Sequence, residues 1–205
     1  MNAKQAYFYQ ALQDRRNSQR SLHDSLAQAL IVCNLGQSED PKISALLNIC
    51  NQTLDWVESH GAQMAKLNQE PAYHNRQHFA DICLALAIFL KEADDLSDKD
   101  RCILLLAALT HDFGHRGLSQ LPLNCTQEEE TVKLLQDSPL SQLPTLERLQ
   151  IEELILGTTP ANLSVVNQRY LNEPNNKNYF MQSLLNDADI ATSFVEPLTP
   201  LLSKY

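Results

Sequence analysis

"DKDRCILLLAALTHDFGH", residues 98–115, is the stretch on which the reading of this chain turns. From Ile103 to Thr110 it is an uninterrupted apolar run without glycine or proline, far short of the roughly 20 residues that span a bilayer. Such a run belongs to a helix buried around much of its circumference. Ser97 stands before it as an N-cap, with Asp100 in the first turn. The run then ends on His111 and Asp112, with His115 four residues after His111. Polar groups at the end of a buried helix are costly unless they are paired or coordinated.

The same pattern occurs upstream. "PAYHNRQHFADICLA", residues 71–85, places His74 and His78 four apart at the start of another apolar helix, with Asn75 as its N-cap. Four of the six histidines therefore lie in two pairs at i,i+4 spacing, which puts the imidazoles of each pair on one helix face. Either pair alone is compatible with hydrogen-bonded core histidines. Both together, with Asp112 adjacent, point to a divalent cation. A further acidic candidate is "SLLNDADIATSF", residues 183–194, where Asp187 and Asp189 stand in a largely apolar helix. Asp187 continues the Phe180, Leu184, Ala191, Phe194 stripe, whereas Asp189 lies below Leu185 and next to Thr192, and either could complete the set. Imidazole with carboxylate suits zinc, iron or manganese; carboxylate with water suits magnesium.

Outward from these segments, low glycine and apolar residues at three-to-four spacing predict an all-α fold, a compact multi-helix bundle. The expected helices cover 3–32, 43–68, 76–93, 98–113, 127–137, 144–157, 162–171 and 178–195. Thr126 and Glu129 have capping-box spacing, and Pro144 suits a first turn. At 205 residues a single domain, 1–205, is expected. Residues 1–40 are more polar and are read as a peripheral N-terminal helix, packed on the outside of the core or on another copy in a homo-oligomer.

A net charge of −9 and the lack of a Lys/Arg stripe argue against a nucleic-acid polymer as partner. A small phosphorylated substrate remains open, because bound cations can supply positive charge. The five cysteines, at 33, 50, 83, 102 and 125, include no CxxC pair, and Cys83 and Cys102 fall in apolar helical runs as small core residues. With no apolar segment at the N-terminus, a cytoplasmic protein without a membrane partner is expected.

The order His78, His111–Asp112, Asp189 resembles the HD-domain metal-dependent phosphohydrolase superfamily. "YHNRQHFAD" (73–81) and "HDFGHRGLS" (111–119) resemble the catalytic domain of class I cyclic-nucleotide phosphodiesterases, and "LILGTT" (154–159) and "DADIA" (187–191) are similar to later elements of it. The likeness covers roughly residues 70–195, the expected metal-site core. It implies hydrolysis of a 3',5'-cyclic nucleotide or similar small phosphodiester by attack of a metal-bridging hydroxide. The first cation, zinc or iron or manganese, would be held by His78, His111, Asp112 and Asp189. The second, magnesium or manganese, would be bridged by Asp112 and otherwise mostly hydrated. His74 would be the general acid, His115 would stand near the phosphate, Tyr73 would wall the site, and Gln120 occupies the position of a family asparagine on the substrate side.

The chain departs from the pattern in places. Arg116 replaces a usual proline, and the family's later glutamate, expected around Leu140 to Gln142, is absent, leaving Glu128, Glu129 and Glu130 as the nearest acids. Glu128 shares a helix face with Val132 and Leu135 and could substitute. No position up to Tyr205 matches the family's purine-binding glutamine or aromatic clamp, so the resemblance implies nothing about base recognition. Two other readings use the same residues: a nucleotidase or dNTP phosphohydrolase of the HD type, and a degenerate nucleotide-binding HD module. His74 favours the diesterase.

Overall fold

In the computed structural model, side chains from Cys102 to Leu109 are all 0% exposed. They belong to a helix, Asp98–Thr110, enclosed by its neighbours as the apolar run requires. The structure describes residues 3–17, 21–36, 38–115 and 125–193, which form helices joined by turns with no strand among them. In chain order these are α1 (Ala3–Asn17), α2 (Leu22–Val32), α3 (Pro41–Lys66), α4 (Arg76–Leu90) and α5 (Asp98–Thr110). They continue with α6 (Gln127–Leu134), α7 (Thr145–Leu156), α8 (Leu163–Asn172) and α9 (Lys177–Ser193).

α4 and α5 carry the core. α5 packs on α3, α4, α7 and α9, while α4 packs on α2, α5, α9 and α1. Each fully buried leucine contributes about 1.5–3 kcal/mol of transfer free energy, so this pair dominates the apolar stabilisation. A short link joins the two helices, and the chain runs back so that the start of α4 lies beside the end of α5. The His78 and His111 ring centroids are consequently 5.5 Å apart.

Local chemistry sets the helix ends. Ser97 and Asp100 form a reciprocal capping box at α5, and Lys177 Nζ, at the start of α9, donates to Asp100 Oδ1 at 2.9 Å. Asn75 Oδ1 accepts from the backbone N–H groups of Gln77 and His78, starting α4. Thr126 and Glu129 make the same kind of box at α6. Pro144 stands just outside α7 rather than within its first turn.

Three expectations about the elements are corrected. The helix expected over 3–32 is two helices, because Ser21 and Asp24 form a capping box that starts α2 afresh. Both pack on α4: α2 lies along it and buries Leu22, Leu26 and Ala29, and α1 buries Leu12 and stacks Phe8 on Phe89 at 5.5 Å. The helix expected over 98–113 ends at Thr110, whose hydroxyl donates back to the Leu106 carbonyl, and His111 to Gly114 form a turn. The helix expected over 127–137 tightens into 3-10 geometry at Leu135–Asp137.

The cysteines are free, and Cys33, Cys50, Cys83 and Cys102 are buried. Burial pushes the Cys33 thiol up to about 11, in keeping with an inert core residue. Among the described residues no helix is long and apolar enough to cross a membrane.

Candidate active site

Three helix segments meet at one point: the start of α4, the turn after α5, and the late part of α9. Asp112 Oδ2 lies 2.7 Å from His74 Nδ1, 3.1 Å from His111 Nε2 and 3.4 Å from His78 Nε2. Asp189 Oδ1 completes the ring, 3.4 Å from His78 Nε2 and 3.9 Å from His111 Nε2. The sequence left Asp187 and Asp189 open. Asp187 is exposed, and Asp189 is the carboxylate that reaches the histidines. The stripe through Asp187 is not the buried face of α9; that face runs through Met181, Leu185, Ala188 and Thr192.

The donor set fits a cation. His78 and His111 are buried, yet neither Nε2 makes a well-formed hydrogen bond among the described residues. Orphaned buried nitrogens are rare unless something else satisfies them. His111 Nδ1 donates to the Ala108 carbonyl at 3.1 Å, which fixes the tautomer and turns the Nε2 lone pair toward the two carboxylates. His78, His111 and Asp112 form one group that could hold a metal ion; His74, Asp112 and His115 form another, with Asp112 common to both.

Without a cation, protons must balance the carboxylates. Burial depresses the His111 pKa, but the Asp112 carboxylate and then Asp189 outweigh it and push it up to about 9. His78 is likewise pulled down by burial and raised overall by Asp112 and Asp189. Burial would raise the Asp112 pKa, but His111 and the hydrogen-bonding imidazoles around it hold it well below the usual carboxylate range. His115 is lowered, first by burial and then by repulsion from His74.

His115 stacks on His74 with centroids 3.8 Å apart. The Tyr73 ring packs against both His74 and His78, with centroids at 4.8 and 4.6 Å. Gln120 and Arg116 lie outside the described residues. The three acids of α6 separate: Glu129 serves the capping box, and Glu130 pairs with Lys133. Glu128 is 7% exposed and electrostatically coupled to His115. Thr131, one turn on, donates to the Phe113 carbonyl at 2.9 Å and ties α6 to the turn. Gly114 has φ of 74°, and a Cβ there would run into Leu134 of the same helix, so the turn needs glycine twice over.

Residues 73–151 match the 3'5'-cyclic nucleotide phosphodiesterase family. Over this segment the chain is similar to that family. Its all-helical architecture is consistent with a place in the HD-domain superfamily. The match covers less than half of the chain; it includes Tyr73, His74, His78, His111, Asp112 and His115 and stops before Asp189. No curated protein and no solved structure matches the chain significantly.

Two features around the site were not legible in the sequence. A cavity of about 540 Å³ opens beside the histidines, lined among others by His60, Met64, Gln69, His74, Phe113 and His115. On one wall Phe113 and His60 have ring centroids 4.6 Å apart, and Trp56 stacks on Phe113 at 3.9 Å. The second is Arg76, which joins Glu58 and Glu70. The available signal was a lone arginine opening an apolar helix, and its partners lie in other segments.

Proposed function

We propose that the domain is a divalent-cation-dependent phosphodiesterase acting on a 3',5'-cyclic nucleotide or a similar small phosphodiester. The observation that carries this is the convergence of His74, His78, His111 and Asp112, from the matched segment, with Asp189 around buried Nε2 atoms that make no well-formed hydrogen bond among the described residues. His78, His111, Asp112 and Asp189 would hold one cation, and Asp112, with His74 and His115 beside it, opens onto the place of a second. When bound, such a pair supplies Lewis acidity and a nucleophile that works at neutral pH.

The chain's own residues do the rest. Asp112 accepts from His74 Nδ1, which fixes that imidazole and leaves Nε2 as the nitrogen that carries a proton to the departing ribose oxygen. The His74 side chain is 30% exposed, so solvent can restore that proton. His115, stacked on it and held neutral near pH 7, lines the approach of the phosphate. The cavity is within the range of pockets that enclose small ligands, about 300–1,000 Å³, and takes the substrate body.

The test is incubation of manganese- or zinc-loaded protein with cyclic AMP and cyclic GMP, with products resolved by chromatography and His111→Ala as control. Formation of the 5'-monophosphate, lost in the variant, supports the reading. Phosphate or triphosphate release from nucleotides without diester cleavage would favour a nucleotidase or dNTP phosphohydrolase. Wild type and variant equally inert would favour a degenerate binding module.

A further inference from the structure

We propose that Arg76 is a positioning residue for His74, closing the segment from Glu70 to Asn75 into a ring that holds the imidazole against Asp112. This rests on the reading of His74 as proton donor. Arg76 Nε donates to Glu70 Oε1 at 2.8 Å, Nη2 to Glu70 Oε2 at 3.0 Å and Nη1 to Glu58 Oε1 at 2.6 Å. One planar fork thus grips both oxygens of Glu70 and, on its other side, α3. The segment is also tied internally: Asn75 Nδ2 donates to the carbonyls of Ala72 at 2.9 Å and Pro71 at 3.2 Å.

α3 is shaped to receive the arginine. A Cβ at Gly61 would lie 2.5 Å from Arg76 Cδ and 2.6 Å from Cγ, so the side-chain stem lies directly on the helix backbone. The pairs are largely sheltered, with Arg76 25%, Glu58 28% and Glu70 20% exposed. Four residues after Glu70, the ring presents His74, whose Nδ1 stands 2.7 Å from Asp112 Oδ2. Lysine offers a single charged point and cannot bridge Glu70 and Glu58 in this geometry.

A positioned proton donor matters only where the leaving group is basic. The experiment compares wild type, Arg76→Lys and Glu70→Gln on a 3',5'-cyclic nucleotide, which leaves as an alkoxide, and on bis(p-nitrophenyl) phosphate, which leaves as a weakly basic phenolate. Glu70→Gln keeps the side-chain size and one acceptor should Arg76→Lys fold poorly. Misplacement of a catalytic group by about 1 Å costs on the order of 100-fold, so kcat on the cyclic nucleotide should fall about 10- to 100-fold in both variants. KM should stay within about 2-fold, the aryl diester rate within about 3-fold, and cation content unchanged. Amide hydrogen exchange across residues 70–75, which needs no substrate, should accelerate about 10-fold or more. Equal loss on both substrates, or unchanged exchange, overturns the positioning role while leaving the diesterase reading intact. A wild type that cleaves neither diester overturns that reading and the role with it.

Discussion

His74 Nδ1 lies 2.7 Å from Asp112 Oδ2, the carboxylate oxygen that also faces His78 and His111. One aspartate therefore links the proposed proton donor to the proposed cation site, and the two functions should separate by mutation. His74→Gln is expected to retain bound cation while losing about 10²- to 10⁴-fold in kcat on a cyclic nucleotide. Asp112→Asn is expected to lose both. Elemental analysis alongside steady-state kinetics decides it; loss of cation in His74→Gln would refute the division of labour.

Cation removal should act through His111. A ligand present at about 100 times its Kd stabilises the folded state by about 2.7 kcal/mol, or roughly 5–10 °C in Tm for a domain of this size. Thermal unfolding of wild type with zinc or manganese, before and after chelation, should show that drop. His111→Ala should start at the chelated value and respond to neither treatment.

The histidines also set a pH dependence. In the cation-free protein the His111 pKa is raised from 6.5 to about 9, so its pairing with Asp112 and Asp189 contributes stability that is fully present below 6.5 and lost as pH rises through about 9. Protons and cations compete for the same Nε2 atoms, so cation affinity should rise over that window and binding near pH 7 should release protons. Denaturation of cation-free protein across this range, with calorimetry in buffers of different ionisation enthalpy, tests both. A flat apo stability between 6.5 and 9 would contradict the assignment.

The turn after α5 gives a purely structural prediction. Gly114→Ala combines a left-handed backbone with a Cβ that meets Leu134, and should destabilise the domain by about 2–5 kcal/mol. Urea unfolding measures it. A cost below about 0.5 kcal/mol, typical of ordinary surface changes, would mean that the turn relaxes freely.

Much of this architecture was legible because local and global signals agree at α4 and α5. Ser97, Asp100 and Asn75 cap helices whose apolar bodies have no alternative to burial, and polar histidines at their ends stand out by the cost of hiding them. The break at Ser21 was missed because its capping box sits in a polar stretch without a strong apolar period. Asp187 and Asp189 could not be told apart from periodicity alone. Their directions differ by about 200° around the helix, and contacts with α4, α7 and α8 decide which side of α9 is buried. Arg76 was opaque for a different reason: its partners are 18 and 6 residues upstream, in α3 and in the segment before α4, and only tertiary packing brings them together.

His78, His111, Asp112 and Asp189 are proposed to hold one divalent cation together. Anomalous diffraction from crystals grown with zinc, recorded on both sides of the zinc edge, addresses it directly. The proposed site requires a peak about 2.0–2.2 Å from His78 Nε2, His111 Nε2 and a carboxylate oxygen of each aspartate. A fully occupied zinc peak elsewhere, with the four side chains unliganded and directed apart, would contradict it.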